Sequence, residues 1–346
     1  MPNSRYLSAS LRLEDAVALT FFLLTLGMRV FVRGLGPVTL SPADVLVIIP
    51  AVTLLLAKEL VHYFIVSVRH SAQDSTKGIG KFIRPYWEIV RDWFPFLVIL
   101  LMYYSLWGDA THLLVTRDVD AELIEWDQRL FGFQASVAIQ RFVSPPLTAW
   151  MEFAYFFHIL NIPVVACFIY LKRSRERFRE LMSGVLVVTF FGLIGYLLVP
   201  AIGPLYTLRD QYTVPLSVPL DVVNRQIDFM DYARIKRDVF PSLHVGISFV
   251  VWLYAYRNSR RLFWILTPLV LSLFVSTVYL RYHYLIDVIA GLVLAPLCFL
   301  LSNWLFKKWG EIRMSIPLPA WVAERASRWG WLHPAPTAGE KPGGSP

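Results

Sequence analysis

Residues 262–306 read LFWILTPLVLSLFVSTVYLRYHYLIDVIAGLVLAPLCFLLSNWLF. A helix needs roughly 20 apolar residues to cross a hydrocarbon core, and two runs of about that length lie here, 262–281 and 284–306, parted only by Tyr282 and His283. That tight turn must lie at a membrane surface. Upstream, the stretches 15–34, 44–68, 94–115, 147–171, 181–201 and 242–256 are apolar in the same way. The sixth is short, and Phe240 and Pro241 are expected to extend it into the interface. The chain has 346 residues, 56% of them hydrophobic, with a mean hydropathy of +0.52. A soluble domain would leave no polar face for such windows. The expected fold is all-α, a polytopic integral membrane protein with about eight transmembrane helices, the last six forming a core.

Lys and Arg of short loops set the orientation of membrane helices. KRSRERFRE (Lys172 to Glu180), RNSRR (Arg257 to Arg261), KKWGEIR (Lys307 to Arg313) and the 69–92 connection are basic and fall on one side by span count. They are expected in the cytosol, with both termini. The net charge of +8 then reads as a topology and headgroup signal, and nothing requires nucleic acid. The expected organisation is two helices in 1–68, a basic cytosolic loop or amphipathic helix in 69–93, a six-helix catalytic core in 94–306 and a largely disordered cytosolic tail in 307–346. Trp87, Ile89, Val90 and Trp93 favour the amphipathic helix. The first span carries Arg29 and Arg33 and lacks a small-residue cleavage site, so it is expected to stay as a helix. Cys167 and Cys298 both fall within spans, too few for a disulfide framework or a metal site. No cofactor is called for, and oligomeric state is not legible.

Two long loops, about 109–146 and 203–240, share the non-cytosolic face with FPSLHVG (240–246) and the YHY turn. Loops of this length in a compact membrane protein are more often functional than passive. His283 opens the last span, and Asp287 follows four residues later on the same helix face. A carboxylate inside a span is costly without a partner. Here it can accept the imidazole N–H, fix the tautomer and leave the other ring nitrogen free. His244 lies at the corresponding depth on the 242–256 span, behind Pro241, which suits a first helical turn. Both histidines thus sit at helix N-termini, where unpaired N–H groups favour an anion. Arg281 stands two positions before His283, Lys236 and Arg237 just before FPSLH, and Arg209 after GPLYTL in the long loop on the same face. An oriented histidine, a second histidine and several cations are what phosphoryl transfer through a phosphohistidine needs.

FPSLHVG and RYHYLIDVIAG resemble the second and third signature motifs of the type-2 phosphatidic acid phosphatase superfamily. PSLH, YHYLID and the loop text GPLY resemble its inositol phosphorylceramide synthase-like (inositolphosphotransferase) branch. The resemblance covers roughly 94–306. It implies a nucleophile at His283, a carboxylate partner at Asp287 and a leaving-group acid at His244. Arg281, Ser242, Arg237 and Arg209, by their own placement around these motifs, are the candidate phosphate ligands. Leu243 stands where the phosphatase motif has Gly, and Ser276-Thr277 where the third motif has Ser-Arg; Arg281 is its nearest substitute. The first motif is matched in letters by Lys77, Arg84 and Pro85, but on the cytosolic side of the expected topology, and we read it as a chance match. The implied activity is a membrane phosphotransferase that moves a phosphoryl-linked headgroup from a phospholipid donor to a lipid alcohol such as ceramide or diacylglycerol; with water as acceptor it is a phosphatase. Ser242 can equally be a helix cap, and Arg209, Lys236 and Arg237 solvated loop charges. Glu152, His158 and Asn161 either shape an acceptor pocket or pair between helices. A transporter would spread its polar residues through the membrane depth and repeat internally. These gather at one surface.

Overall fold

The computed structural model describes residues 12–32, 89–95, 114–216 and 237–315. The expected span 44–68, nearly all of 94–115, the Lys77–Arg84–Pro85 match, Lys236 and the tail after Ser315 lie outside them. All regular structure among the described residues is helical: α1 (Leu13–Val32), a helical stretch 89–95, α2 (Asp120–Phe131), the short α3 (Ala135–Ala138) with a 3₁₀ turn, α4 (Pro145–Lys172), α5 (Arg175–Leu198), the single turn α6 (Pro204–Thr207), α7 (Leu243–Asn258), α8 (Arg260–Tyr279) and α9 (Leu285–Ser315). Among the described residues four helices, α4, α5, α8 and α9 through Glu311, are long and apolar enough to cross a membrane.

α7 is the central helix. Its 16 residues pack against α4, α5, α8 and α9, and Val245, Val250, Val251, Tyr254 and Ala255 have no exposed surface. A helix apolar on every side belongs inside a bundle, which is why this span is short without being broken. Ser259 closes it: its own N–H bonds the Ala255 carbonyl, and its hydroxyl accepts from Leu262 N, capping α8. The α7–α8 connection is thus one residue, and α8 starts two residues before the expected 262.

Glycine brings α7 and α9 together. A Cβ on Gly291 would lie 2.6 Å from the Ser242 carbonyl oxygen and 3.4 Å from Gly246 N, so the two backbones touch where any larger residue would part them. The Ser242 N–H also donates to the Asp287 carbonyl at 3.1 Å. The FPSLHVG and YHYLIDVIAG segments are therefore joined through main chain, and His244 and His283 meet at one end of the bundle.

Candidate active site

The two helix starts differ from the expectation in register. Pro241 lies ahead of α7 and outside its first turn: the N-cap is Ser242, whose buried hydroxyl accepts from Val245 N. His283, expected to open the last span, precedes α9 instead of occupying its first turn. That helix begins at Leu285, with Asp287 in its first turn. The physical reason is the end of α8, where Tyr282 N and His283 N both bond back to the Thr277 carbonyl and Arg281 takes a left-handed conformation (φ 68°). A non-glycine residue there costs on the order of 1 kcal/mol or more, and it turns the chain sharply enough to leave His283 beside the start of α9.

From this turn a line of side chains crosses the bundle. The Asp287 carboxylate, with no exposed surface, accepts from Tyr284 N at 2.8 Å and faces His283 Nδ1 at 3.5 Å. His283 Nε2 lies 3.3 Å from His244 Nδ1, and His244 Nε2 lies 2.8 Å from the Tyr155 hydroxyl of α4. One assignment of protons satisfies every contact with neutral rings: His283 carries its proton on Nδ1 toward Asp287, His244 carries its own on Nδ1 toward His283, and Tyr155 donates to His244. Asp287 Oδ1 and His283 Nδ1 have no hydrogen-bond partner within normal distance among the described residues. Burial pushes the His283 imidazole down to about 4, against the opposing charge of Asp238 and the Val239 carbonyl. Tyr155 also stacks on Tyr282, and His158 lies beside His244 with ring centroids 4.6 Å apart.

The remaining candidates are placed as follows. The Arg281 guanidinium lies over the Tyr212 ring, 4.0 Å from its centroid, and donates to the Val214 carbonyl. Arg237 pairs with Asp118 at 2.6 Å and donates to the carbonyls of Val115 and Thr116, which makes it a clamp on the segment leading into α2. Arg209 is exposed. The Ser276 and Thr277 hydroxyls turn back onto the Leu273 and Phe274 carbonyls of their own helix. Asn161 Nδ2 and His158 Nδ1 reach Ser248 of α7, both at 3.4 Å, so these two pair between helices.

The long 109–146 loop contributes α2 and two buried carboxylates that sequence reasoning missed. Asp127 accepts from Leu285 N at 2.9 Å and Ile286 N at 2.8 Å. With Asp287 on Tyr284 N, the first N–H groups of α9 are taken, and the anion at this helix N-terminus is the protein's own. That corrects the expectation of an open anion site at α9. Burial pushes the Asp127 carboxyl up from its ordinary value, and the two N–H bonds pull it back. Asp120 accepts from Ile202 N, Gly203 N and the Tyr284 hydroxyl, all within 2.9 Å. Gly203, at φ 91°, has room for no side chain, since a Cβ would meet the Tyr282 carbonyl at 2.8 Å. The seven-residue spacing of Asp120 and Asp127, two helical turns, was the signal available. At α7, by contrast, the main-chain N–H of His244 has no acceptor among the described residues.

Fold and centre define a helical membrane protein whose polar heart is a buried carboxylate–histidine–histidine–tyrosine line at one end of the bundle. A family model described as PAP2 superfamily matches residues 121–301, more than half of the chain, and the chain belongs to that superfamily. It is 27% identical over 179 residues to the phosphoinositol dihydroceramide synthase of Bacteroides thetaiotaomicron, an alignment covering 47% of this chain and 57% of that protein. It is 23% identical over 214 residues to a PA-phosphatase related-family protein of Dictyostelium discoideum, covering 61% of this chain and 30% of the relative. The matched region is thus less than two thirds of either relative's length. No solved structure matches.

Proposed function

We propose that this protein is a lipid phosphotransferase that moves a phosphoryl-linked headgroup, phosphoinositol or one like it, from a phospholipid to a lipid hydroxyl such as that of ceramide or diacylglycerol. The observation that carries the reading is the line of close approaches from Asp287 through His283 and His244 to Tyr155, 3.5, 3.3 and 2.8 Å in turn, in a chain of the PAP2 superfamily. Neutral His283 Nε2 attacks phosphorus, and the bond from phosphorus to the leaving alcohol breaks. Binding of the phosphate anion brings a proton from solvent onto His244 Nε2, with Tyr155 turning from donor to acceptor there, and His244 then gives its Nδ1 proton to the departing oxygen. The new phosphohistidine is a cation balanced by Asp287. The acceptor hydroxyl then loses its proton to His244 Nδ1 and attacks phosphorus, and the bond to His283 Nε2 breaks.

The 3.3 Å contact between the two rings leaves no room for phosphorus, so substrate binding parts them, and catalytic contacts often settle only in the complex. The main-chain N–H of His244 and the exposed Arg209 are donors for the phosphoryl oxygens, and Arg281 becomes one by exchanging the Val214 carbonyl for phosphate. Donors already in place where charge develops are worth more than flexible ones in water. The line lies at the non-cytosolic surface, because the basic loops mark the other end. The same chemistry with water as acceptor is a phosphatase, a second reading that the Dictyostelium relative's name favours. Purified protein incubated with phosphatidylinositol radiolabelled in its headgroup, with and without ceramide or diacylglycerol, separates the two. Label appearing in a new lipid only when acceptor is present supports transfer. Water-soluble label released at the same rate with or without acceptor assigns hydrolysis, and no turnover of any labelled phospholipid rejects both.

A further inference from the structure

α5 runs toward the histidine end: Gly195, near its C-terminus, abuts Pro241, and its N-terminus, Arg175, lies at the opposite end. At about 1.5 Å per residue, Arg257 is roughly 20 Å along α7 from His244 and Lys307 roughly 30 Å along α9 from Asp287. There Arg12, Arg91, Arg175, Arg179, Arg257 and Lys307 line one recess of about 800 Å³ between α1, α5, α7 and α9. Among the described residues, Glu176 and Glu180 are the carboxylates in its lining. Asp92, beneath it and without exposed side-chain surface, is shared by Arg12 and Arg175, both at 2.7 Å. Glu14 pairs with Arg179 at 2.9 Å, and Glu180 with Arg257 at 3.4 Å. Asp15 accepts from the main-chain N–H of Arg12 at 3.2 Å. Even with Asp15 counted, the cations outnumber the carboxylates around the recess, and Lys307 has no ion pair among the described residues.

The buried carboxylates explain why Arg12, Arg175 and Arg179 are held in place. They do not explain Lys307, or an opening far larger than an ion pair needs. A held arginine cluster with spare N–H groups suits an oxyanion, and its planar forks match phosphate. The volume is that of a site for a small organic molecule, not for an inorganic ion alone. Basic pockets between membrane helices on the cytoplasmic side are where anionic headgroups seat. We propose that this recess binds a phosphate monoester, the chemistry shared by an anionic phospholipid headgroup and a soluble phosphorylated alcohol, at a site separate from the histidine centre. Lys307 and the partly exposed Arg257 supply the donors that close on the ligand.

Gly310 lines the same recess, and a Cβ there meets nothing within 4 Å, so a reporter fits without repacking. The full-length Cys167→Ser/Gly310→Cys protein is labelled with an environment-sensitive fluorophore in detergent, where buried Cys298 stays unlabelled. It is then titrated with dioctanoyl phosphatidic acid, dioctanoyl phosphatidylcholine and glycerol 3-phosphate. A saturable change with phosphatidic acid alone assigns a lipid headgroup, with glycerol 3-phosphate alone a soluble ester, and with both the shared phosphate chemistry. In each case adding Lys307→Gln and Arg257→Gln weakens the response at least about tenfold, while His283→Gln leaves it unchanged. Circular dichroism and size exclusion confirm that the charge variant is folded. A response absent for every probe, equal for phosphatidylcholine, indifferent to the charge variant or abolished by His283→Gln overturns the proposal.

Discussion

Asp127 touches neither histidine, yet the geometry makes the catalytic turn depend on it. Its two carboxylate oxygens take the N–H groups of Leu285 and Ile286 at 2.9 and 2.8 Å, and the residue is 1% exposed. Asp127→Ala leaves both donors without their acceptor in a dry site, at about 1–3 kcal/mol each. It also removes an anion from the N-terminus of α9, worth about 0.3–1 kcal/mol and up to about 2 when buried. The expected loss is roughly 3–5 kcal/mol, less whatever water recovers. Asp127→Asn keeps one acceptor and loses the charge, so about half of that is expected. The first turn of α9 carries the Tyr284 N–H bond that aims Asp287 at His283, and a misplacement of about 1 Å can cost on the order of 10² in rate. The assay is the initial rate of labelled-headgroup transfer by protein in lipid nanodiscs, paired with its thermal unfolding midpoint. The order of activity and stability should be wild type, Asn, then Ala, with the activity deficit persisting well below each variant's unfolding midpoint. Wild-type rate and midpoint in Asp127→Ala would refute the reasoning.

Asp287→Asn should fold and lose activity steeply, because an amide cannot balance the phosphohistidine cation; the loss reaches the order of 10⁴ where the same arrangement serves a serine nucleophile. A loss below about tenfold in steady-state turnover would make Asp287 structural. With His283 pushed down to about 4 by burial, the acid limb of kcat/KM should fall well below the ordinary histidine value of 6.5. The same shift stabilises the fold fully above the unfolded histidine value near 6.5, and that contribution is lost as pH falls from there toward 4, so unfolding midpoints should drop across that window. A limb centred at the ordinary value and a flat midpoint would show His283 to be solvated. For topology, Asp210→Cys at the histidine end and Gly310→Cys at the basic end should react with an impermeant thiol reagent from opposite sides of sealed vesicles. Labelling from one side would mean the bundle does not span as read.

The spans that the apolar runs marked at 147–171, 181–201, 262–281 and 284–306 are α4, α5, α8 and α9, with ends shifted by a few residues, and α9 runs on to Ser315. Length and hydropathy report burial in lipid, and caps such as Ser259 decide the ends. The histidine pair and its carboxylate were legible because polar residues in an apolar run need partners. Tyr155 was not, being one of 16 tyrosines in a chain where aromatics carry no special signal. Asp120 and Asp127 were missed because their partners are main-chain N–H groups 83 and 159 residues away. Arg281 shows what nearness in sequence leaves out: it suggested a phosphate ligand beside His283, and the left-handed turn sends its guanidinium over Tyr212, from where it would have to swing to reach phosphate.

The central claim is a covalent intermediate on His283. Wild-type protein mixed with a phospholipid radiolabelled at phosphorus and quenched within one turnover should carry acid-labile, alkali-stable label on the peptide containing His283, and addition of acceptor should discharge it. His283→Gln, folded and bearing the same lipid, should carry none. Label of equal amount on the Gln variant, or full turnover by it, would contradict the account.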